Sequence, residues 1–234
     1  MVETPEQGLV KKHTVRAFDE ELAHLTRRIM ETGALVEQQV ALAIRALVER
    51  DEAAAATVIG QDDLVDELEE AIDQEAIRIL ATRQPVAIDL RMVAMALKIS
   101  NDLERTSDYA VNIAKRARRL AEQPQLKPFV TIPRMAEICQ QMVKEVLDAY
   151  VERNPDKAMA AWHRDNEVDQ LYTSLFRELL TYILEDPRTT GTCIDLMFIA
   201  KNLERIGDHA TNIAEKVHYI VHGDLINRMR KAKA

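Results

Sequence analysis

Glycine is scarce in this sequence, with six in 234 residues, which leaves little material for the tight hairpins of an all-β protein. Aromatic residues make up only 4%, too few for a sheet sandwich built on large flat side chains. Two cysteines, Cys139 and Cys193, cannot make a disulfide framework and sit in apolar helical stretches, as core residues of a reducing compartment do. No run approaches the ~20 apolar residues that span a membrane. The first residues, MVETPEQGLVKKH, have no apolar signal region, so membrane association is expected to be peripheral. A formal charge of −8 argues against binding nucleic acid, which relies on clustered Lys and Arg to neutralise phosphates. No G-x-x-x-x-G-K-[ST] phosphate loop and no G-x-S-x-G elbow occurs, so nucleotide and ester chemistry have no framework here.

What is present is helix. Hydrophobic residues make up 47% and charged residues 30% of the chain, and their spacing reads as six long helical segments. The first runs from Phe18 to Glu49, with Leu22, Leu25, Ile29, Val36, Val40, Ile44 and Leu47 on one face. Asp51 caps the second, which carries Ile59, Leu64, Leu68, Ile72 and Ile79 to Thr82 before Pro85 stops it. The third spans Asp89 to Glu122. Gln123 to Thr131, with Pro124 and Pro128, has no periodicity and reads as a linker. Three more segments follow: Pro133 to Arg153, Pro155 to Leu184 capped by Asn154, and Thr190 to His222 before Gly223. The expected fold is all-α: two tandem pseudo-symmetric antiparallel three-helix bundles, over residues 14–122 and 132–223, each elongated to ~45 Å at 1.5 Å per residue. Residues 1–13 and the basic 228–233 read as frayed ends.

The chain also repeats itself. Leu103 to Ala114 reads LERTSDYAVNIA and Leu203 to Ala214 reads LERIGDHATNIA, identical at eight of twelve positions. Glu104 and Asp108 lie four apart and so share a helical face, as do Glu204 and Asp208. The preceding segments supply Asp62 with Asp66 and Asp165 with Asp169. Counting back from Pro85 and Pro187 puts each of these acidic pairs at the height of its LERxxD partner across the turn. Four carboxylates at one level need neutralising, and hard oxygen donors suit a metal ion on each half. The opposing reading is a solvated acidic face in which Arg105 and Arg205 pair with Asp108 and Asp208. The helical wheel places Glu104 and Asp108 on the bundle surface and Asp165 and Asp169 nearer the apolar residues Leu175, Phe176 and Leu179. Asn101 is matched by Lys201, whose ammonium could weaken or replace metal in the second site.

Other signals are weaker. Glu21-x-x-His24 and Glu215-x-x-His218 match the spacing of di-iron carboxylate proteins but occupy non-equivalent places in the repeat. His218 and His222, and Lys115, Arg116, Arg118 and Arg119, read as helix-end residues serving the C-terminal dipole. Trp162 and Tyr172 read as core or interface anchors.

The paired motifs NDLERTSDYAVNIAK and KNLERIGDHATNIAE, with QPVAIDLRMVAMALKISNDLER before the first and the D-x-x-V-D cores of DDLVDEL and DNEVDQL, resemble the PhoU family of phosphate-signalling regulators. The resemblance covers nearly the whole chain. It implies a cytoplasmic, non-enzymatic repressor of the phosphate-starvation response, peripheral at the inner face of the membrane through its partners. Those partners would be the ATPase subunit of the phosphate ABC transporter and a membrane sensor histidine kinase, with the chain itself a homodimer. It also implies metal ions, iron foremost, with zinc, manganese or magnesium also suited to carboxylates. The ligands carried over are Asp62, Asp66, Glu104 and Asp108, then Asp165, Asp169, Glu204 and Asp208. A di-iron carboxylate oxidoreductase and a metal-free helical scaffold are the alternatives.

Overall fold

A computed structural model describes residues 16–124, 126 and 130–224. The expected frayed ends and residues 125 and 127–129 of the expected linker lie outside them. Every element among the described residues is helical: α1 (Arg16–Glu49), α2 (Glu52–Gly60), α3 (Asp62–Arg83), α4 (Ala87–Ala121), α5 (Thr131–Glu152), α6 (Pro155–Glu185) and α7 (Thr190–His222), with a 3-10 turn at Pro187–Thr189 leading into the last. The caps are those the sequence offers. Asp51 accepts from the Ala54 amide at 2.9 Å, Asn154 accepts from Lys157 at 3.1 Å ahead of Pro155, and Gly223 ends α7 in the left-handed region at φ 79°. Each satisfies backbone groups that a helix end leaves over.

The second segment is not one helix. It breaks at Gly60–Gln61, and the break turns α3 relative to the expected apolar stripe: Val65, Ile72, Ala76 and Ile79 are buried, while Leu64 is 44% exposed. A buried polar relay holds the break. Gln39, fully buried on α1, donates its amide to the Gln61 carbonyl at 3.3 Å and accepts from the Ser107 hydroxyl of α4 at 2.7 Å. Gln61 thereby gains a partner that the interrupted helix ladder no longer supplies.

Within each half the three strings of helix run antiparallel, and the halves join side by side. α4 packs on α7 and α1 on α5, so the buried apolar residues form one continuous cluster through both repeats. At Gly33 of α1 an added Cβ would collide with Leu147 of α5, so the absence of a side chain there lets the two helices pack closely. The α4–α7 seam also carries charge. Asp102, buried at 6% exposure, accepts from Lys216 and lies 2.9 Å from His209 Nδ1. Asp195 accepts from Arg116 at 2.8 Å and Arg119 at 2.7 Å. The basic end of α4 therefore has carboxylate partners on a neighbouring helix, beyond the dipole role expected of it. Arg91 of α4 donates to the Ile220 carbonyl at 2.8 Å and so satisfies the end of α7.

Replacing Gln39 with Leu strands the Gln61 carbonyl and the Ser107 hydroxyl. We expect a loss of about 1–3 kcal/mol, read as a lowered thermal midpoint; an unchanged midpoint would show that the relay does not hold the break.

Candidate metal centre

α3 and α4 run antiparallel with acidic residues on their facing outer edges. The inner edges, Val65 and Ile72 on one and Leu103, Thr106 and Ser107 on the other, are buried. The carboxylates therefore stand at the rim of a packed seam, close to one another and partly screened from water. Asp66 feels the charges of Asp62, Asp63 and Asp108, and Glu104 those of Asp108, Asp66 and Glu69. Glu69 and Asp73 extend the same ladder down α3. The height count thus brings the named residues together, with Asp62 at the outer end, 3.7 Å from Lys115 Nζ.

Burial first, and then mutual repulsion, raises the carboxyls of Asp66 and Glu69 above the usual range. Burial alone raises Asp73, with Ser100 opposing it. Glu104 is pushed up to about 7, chiefly by desolvation and then by Asp108, against the counter-pull of Arg105. Arg105 lies across the rim: it donates to Asp108 Oδ2 at 2.9 Å and its Nε is 3.2 Å from Glu104 Oε2. Glu104 Oε2 is nonetheless shielded from solvent without a hydrogen-bond partner among the described residues, a cost that an added cation would relieve. Among the described residues no three carboxylate, imidazole or thiol groups are gathered at coordination distance. The donor chemistry fits a hard cation, and the ligands would have to close on it.

The second half has the same skeleton with different chemistry. Asp165 is 3% exposed and fits against Gly207, where a Cβ would sit 2.8 Å from its Oδ1; the first repeat carries Ser107 at that position. Asp169, by contrast, is exposed, so only one of this pair lies near the core as the helical wheel implied. Asp165 and Asp208 line a cleft of about 490 Å³ with Trp162, Lys201, Arg205, His209 and Tyr109. Lys201 Nζ lies 2.5 Å from Glu204 Oε2.

Glu69 and Asp73 went unnoticed in the sequence, although Asp62, Asp66, Glu69 and Asp73 follow a 4-3-4 spacing that keeps one helical face. The di-iron arrangement does not form. Glu21 is held by Arg78 and Arg83, His24 lies 2.7 Å from Glu75, and Glu215 accepts from Trp162 at 3.4 Å. Helices α1 and α7, which carry the two Glu-x-x-His pairs, do not pack on each other. Trp162 is buried and Tyr172 packs on the core, as expected of anchors.

The PhoU domain model matches twice, over residues 29–117 and 132–217, each copy covering one bundle and its acidic pairs. The chain belongs to the PhoU family. A protein of Caulobacter vibrioides named phosphate-specific transport system accessory protein PhoU homolog is 47% identical over 94% of this chain and 96% of its own length. One of the same name from Rhizobium meliloti is 49% identical over 90% of each chain. The crystal structure of PhoU from Pseudomonas aeruginosa superposes with a TM-score of 0.85 at 40% identity, covering 88% of this chain and all of that one. That of the phosphate transport system regulatory protein PhoU from Streptococcus pneumoniae gives 0.83 at 28% identity, covering 90% and 99%. The doubled helical fold of this PhoU-family chain is therefore that of two solved relatives.

The raised Glu104 carboxyl makes the site sensitive to pH. A carboxyl whose folded pKa exceeds its unfolded value of 4.5 favours the folded state below that value. The contribution fades as pH rises to about 7, because over that range the folded chain holds a proton that the unfolded chain has already released. In chelator-treated protein the thermal midpoint should decline across that window, and Glu104→Gln should flatten the decline; identical pH profiles for the two proteins would refute the assignment.

Proposed function

We propose that this PhoU-family chain is the regulatory accessory of a phosphate-specific transport system, working as a non-catalytic adaptor whose acidic rim on α3 and α4 holds a metal ion. The names of its relatives support the transport role. The observation that supports the metal is the ladder of Asp62, Asp66, Glu69, Glu104 and Asp108, in which burial and then mutual repulsion raise several carboxyls, with Arg105 as the principal counter-charge against it. Bound there, a hard cation such as iron, manganese or magnesium would supply the positive charge that the rim lacks.

The chain's own residues set what binding changes. Asp66 and Glu69 belong to α3, and Glu104 and Asp108 to α4, so a shared cation would add a tie between two helices already joined along their buried inner edges and by the Lys115–Asp62 pair. Anything that binds the folded form stabilises it with the logarithm of its concentration relative to Kd. Arg105, relieved of Glu104 and Asp108, becomes available at an exposed surface. That surface would be what the transporter's ATPase subunit and a sensor histidine kinase read, in the cytoplasm and with the chain as a homodimer. None of the described helices is long and apolar enough to cross a membrane, which agrees with attachment through partners.

Elemental analysis of untagged protein, beside Glu104→Ala with Asp108→Ala, tests this reading. The unmodified chain should carry stoichiometric metal and the double variant less than about a tenth as much, with binding to the ATPase subunit weakened about tenfold or more, in line with ordinary coupling energies. Equal metal content and equal partner affinity in both proteins would overturn it.

A further inference from the structure

The two halves can be matched residue by residue on their buried positions. Val65 of α3 and Val168 of α6 are both fully buried, as are Leu103 of α4 and Leu203 of α7. With these aligned, Asp62 and Asp66 fall on Asp165 and Asp169, as the sequence motifs suggest. The next two rungs of the first-half ladder do not survive. Glu69 is matched by Tyr172 and Asp73 by Phe176, while Asn101 is matched by Lys201. The second rim has thus lost two carboxylates and gained an ammonium on the same face.

Side-chain geometry makes these changes one arrangement. Lys201 Nζ rests 2.5 Å from Glu204 Oε2 and 5.5 Å from the centre of the Tyr172 ring, so the residue that replaces Glu69 forms part of the lysine's seat. Arg205 shares the cleft and lies in the field of Glu204 and Asp208. We propose that Lys201 is the resident cation of the second site, occupying by covalent attachment the place a metal ion takes in the first, so that the chain binds metal in its first half alone. The inference deepens the metal-binding reading and rests on it for the count of one site per chain.

The physical reason is short-range repulsion. A metal ion on Glu204 would lie ~2 Å from the carboxylate oxygen, and therefore within ~4 to 5 Å of the ammonium already on that oxygen. At that separation two positive charges oppose binding by on the order of tenfold or more even with strong screening. If the lysine instead swings away, it gives up both Glu204 and the Tyr172 face. Arg105 opposes a metal on Glu104 in the same way, but Arg205 is its counterpart in the second half, so Lys201 is one cation more against two carboxylates fewer, and the second site is much the weaker.

Mn2+ binding to chelator-treated full-length protein, followed by electron paramagnetic resonance and by thermal midpoint, decides the matter. Glu104→Gln with Asp108→Asn should abolish stoichiometric binding. Adding Lys201→Asn, the residue of the first repeat, should then create a Mn2+ site at least about tenfold tighter than any left in the double variant. Without metal the added substitution should lower the midpoint, and Mn2+ should restore it; Lys201→Gln should behave in the same way. If the unmodified chain binds no Mn2+ but the triple variant does, the assignment of Lys201 stands and the first-site reading falls. If the double variant keeps a Mn2+ site that Glu204→Gln removes, Lys201 is not the resident cation and the inference is overturned. It is equally overturned if a folded triple variant, judged by circular dichroism, gains no Mn2+ binding.

Discussion

Carboxylates on α3 and α4 are held against their own repulsion by the apolar seam beneath them. Val65 and Ile72 on one helix, and Leu103 and Ile99 on the other, are buried completely, each worth about 1.5–3 kcal/mol relative to exposure. Two like charges ~5 Å apart near a protein surface cost on the order of 3 kcal/mol at an effective dielectric of 20. The two effects are of similar size, so the seam can keep the acids crowded without neutralising them. Burial first, and crowding after it, raises their proton affinity, and a bound cation would offset both the lost hydration and the repulsion.

The remaining architecture fixes how far the crowded edge can relax. The break between α2 and α3 sits immediately before Asp62, and Gln39 and Ser107 hold it from two other helices. The position of the first acidic residue is therefore set by α1 and α4 together. The second half has no such break. There α6 runs unbroken, and Gly207, in place of Ser107, leaves room for the Asp165 carboxyl to approach the α7 backbone. Duplication of a three-helix unit has thus produced two acidic edges of unlike character: one crowded and exposed at its rim, the other recessed and furnished with a lysine. The buried Asp102, placed between His209 and Lys216, belongs to this asymmetry too, since the corresponding residue of the other repeat is Asn202.

Much of the site was legible in the sequence because its elements obey short-range rules. The i, i+4 spacing of Glu104 and Asp108 guarantees a common face whatever surrounds the helix, and counting residues from a turn gives height along an antiparallel pair. Leu64 shows where that reasoning stops. Its spacing suited the stripe of a single long helix, yet one non-helical residue at Gln61 rotates everything after it, and Val65 takes the inward place. Glu69 and Asp73 were visible as part of the 4-3-4 acidic series, but the repeat gave no reason to select them, because Tyr172 and Phe176 stand opposite in the alignment.

The sequence by itself determined an all-α chain, its two repeats, the helix caps and the pairing of acidic motifs, since each depends on residues a few positions apart. Tertiary structure alone decided that the halves merge into one core through α4 and α7, that α2 and α3 part at Gln61, and that the Tyr172 ring of α6 comes to lie beside Lys201 of α7. Those outcomes depend on contacts between residues far apart in the chain, where packing of whole helix faces outweighs any local preference.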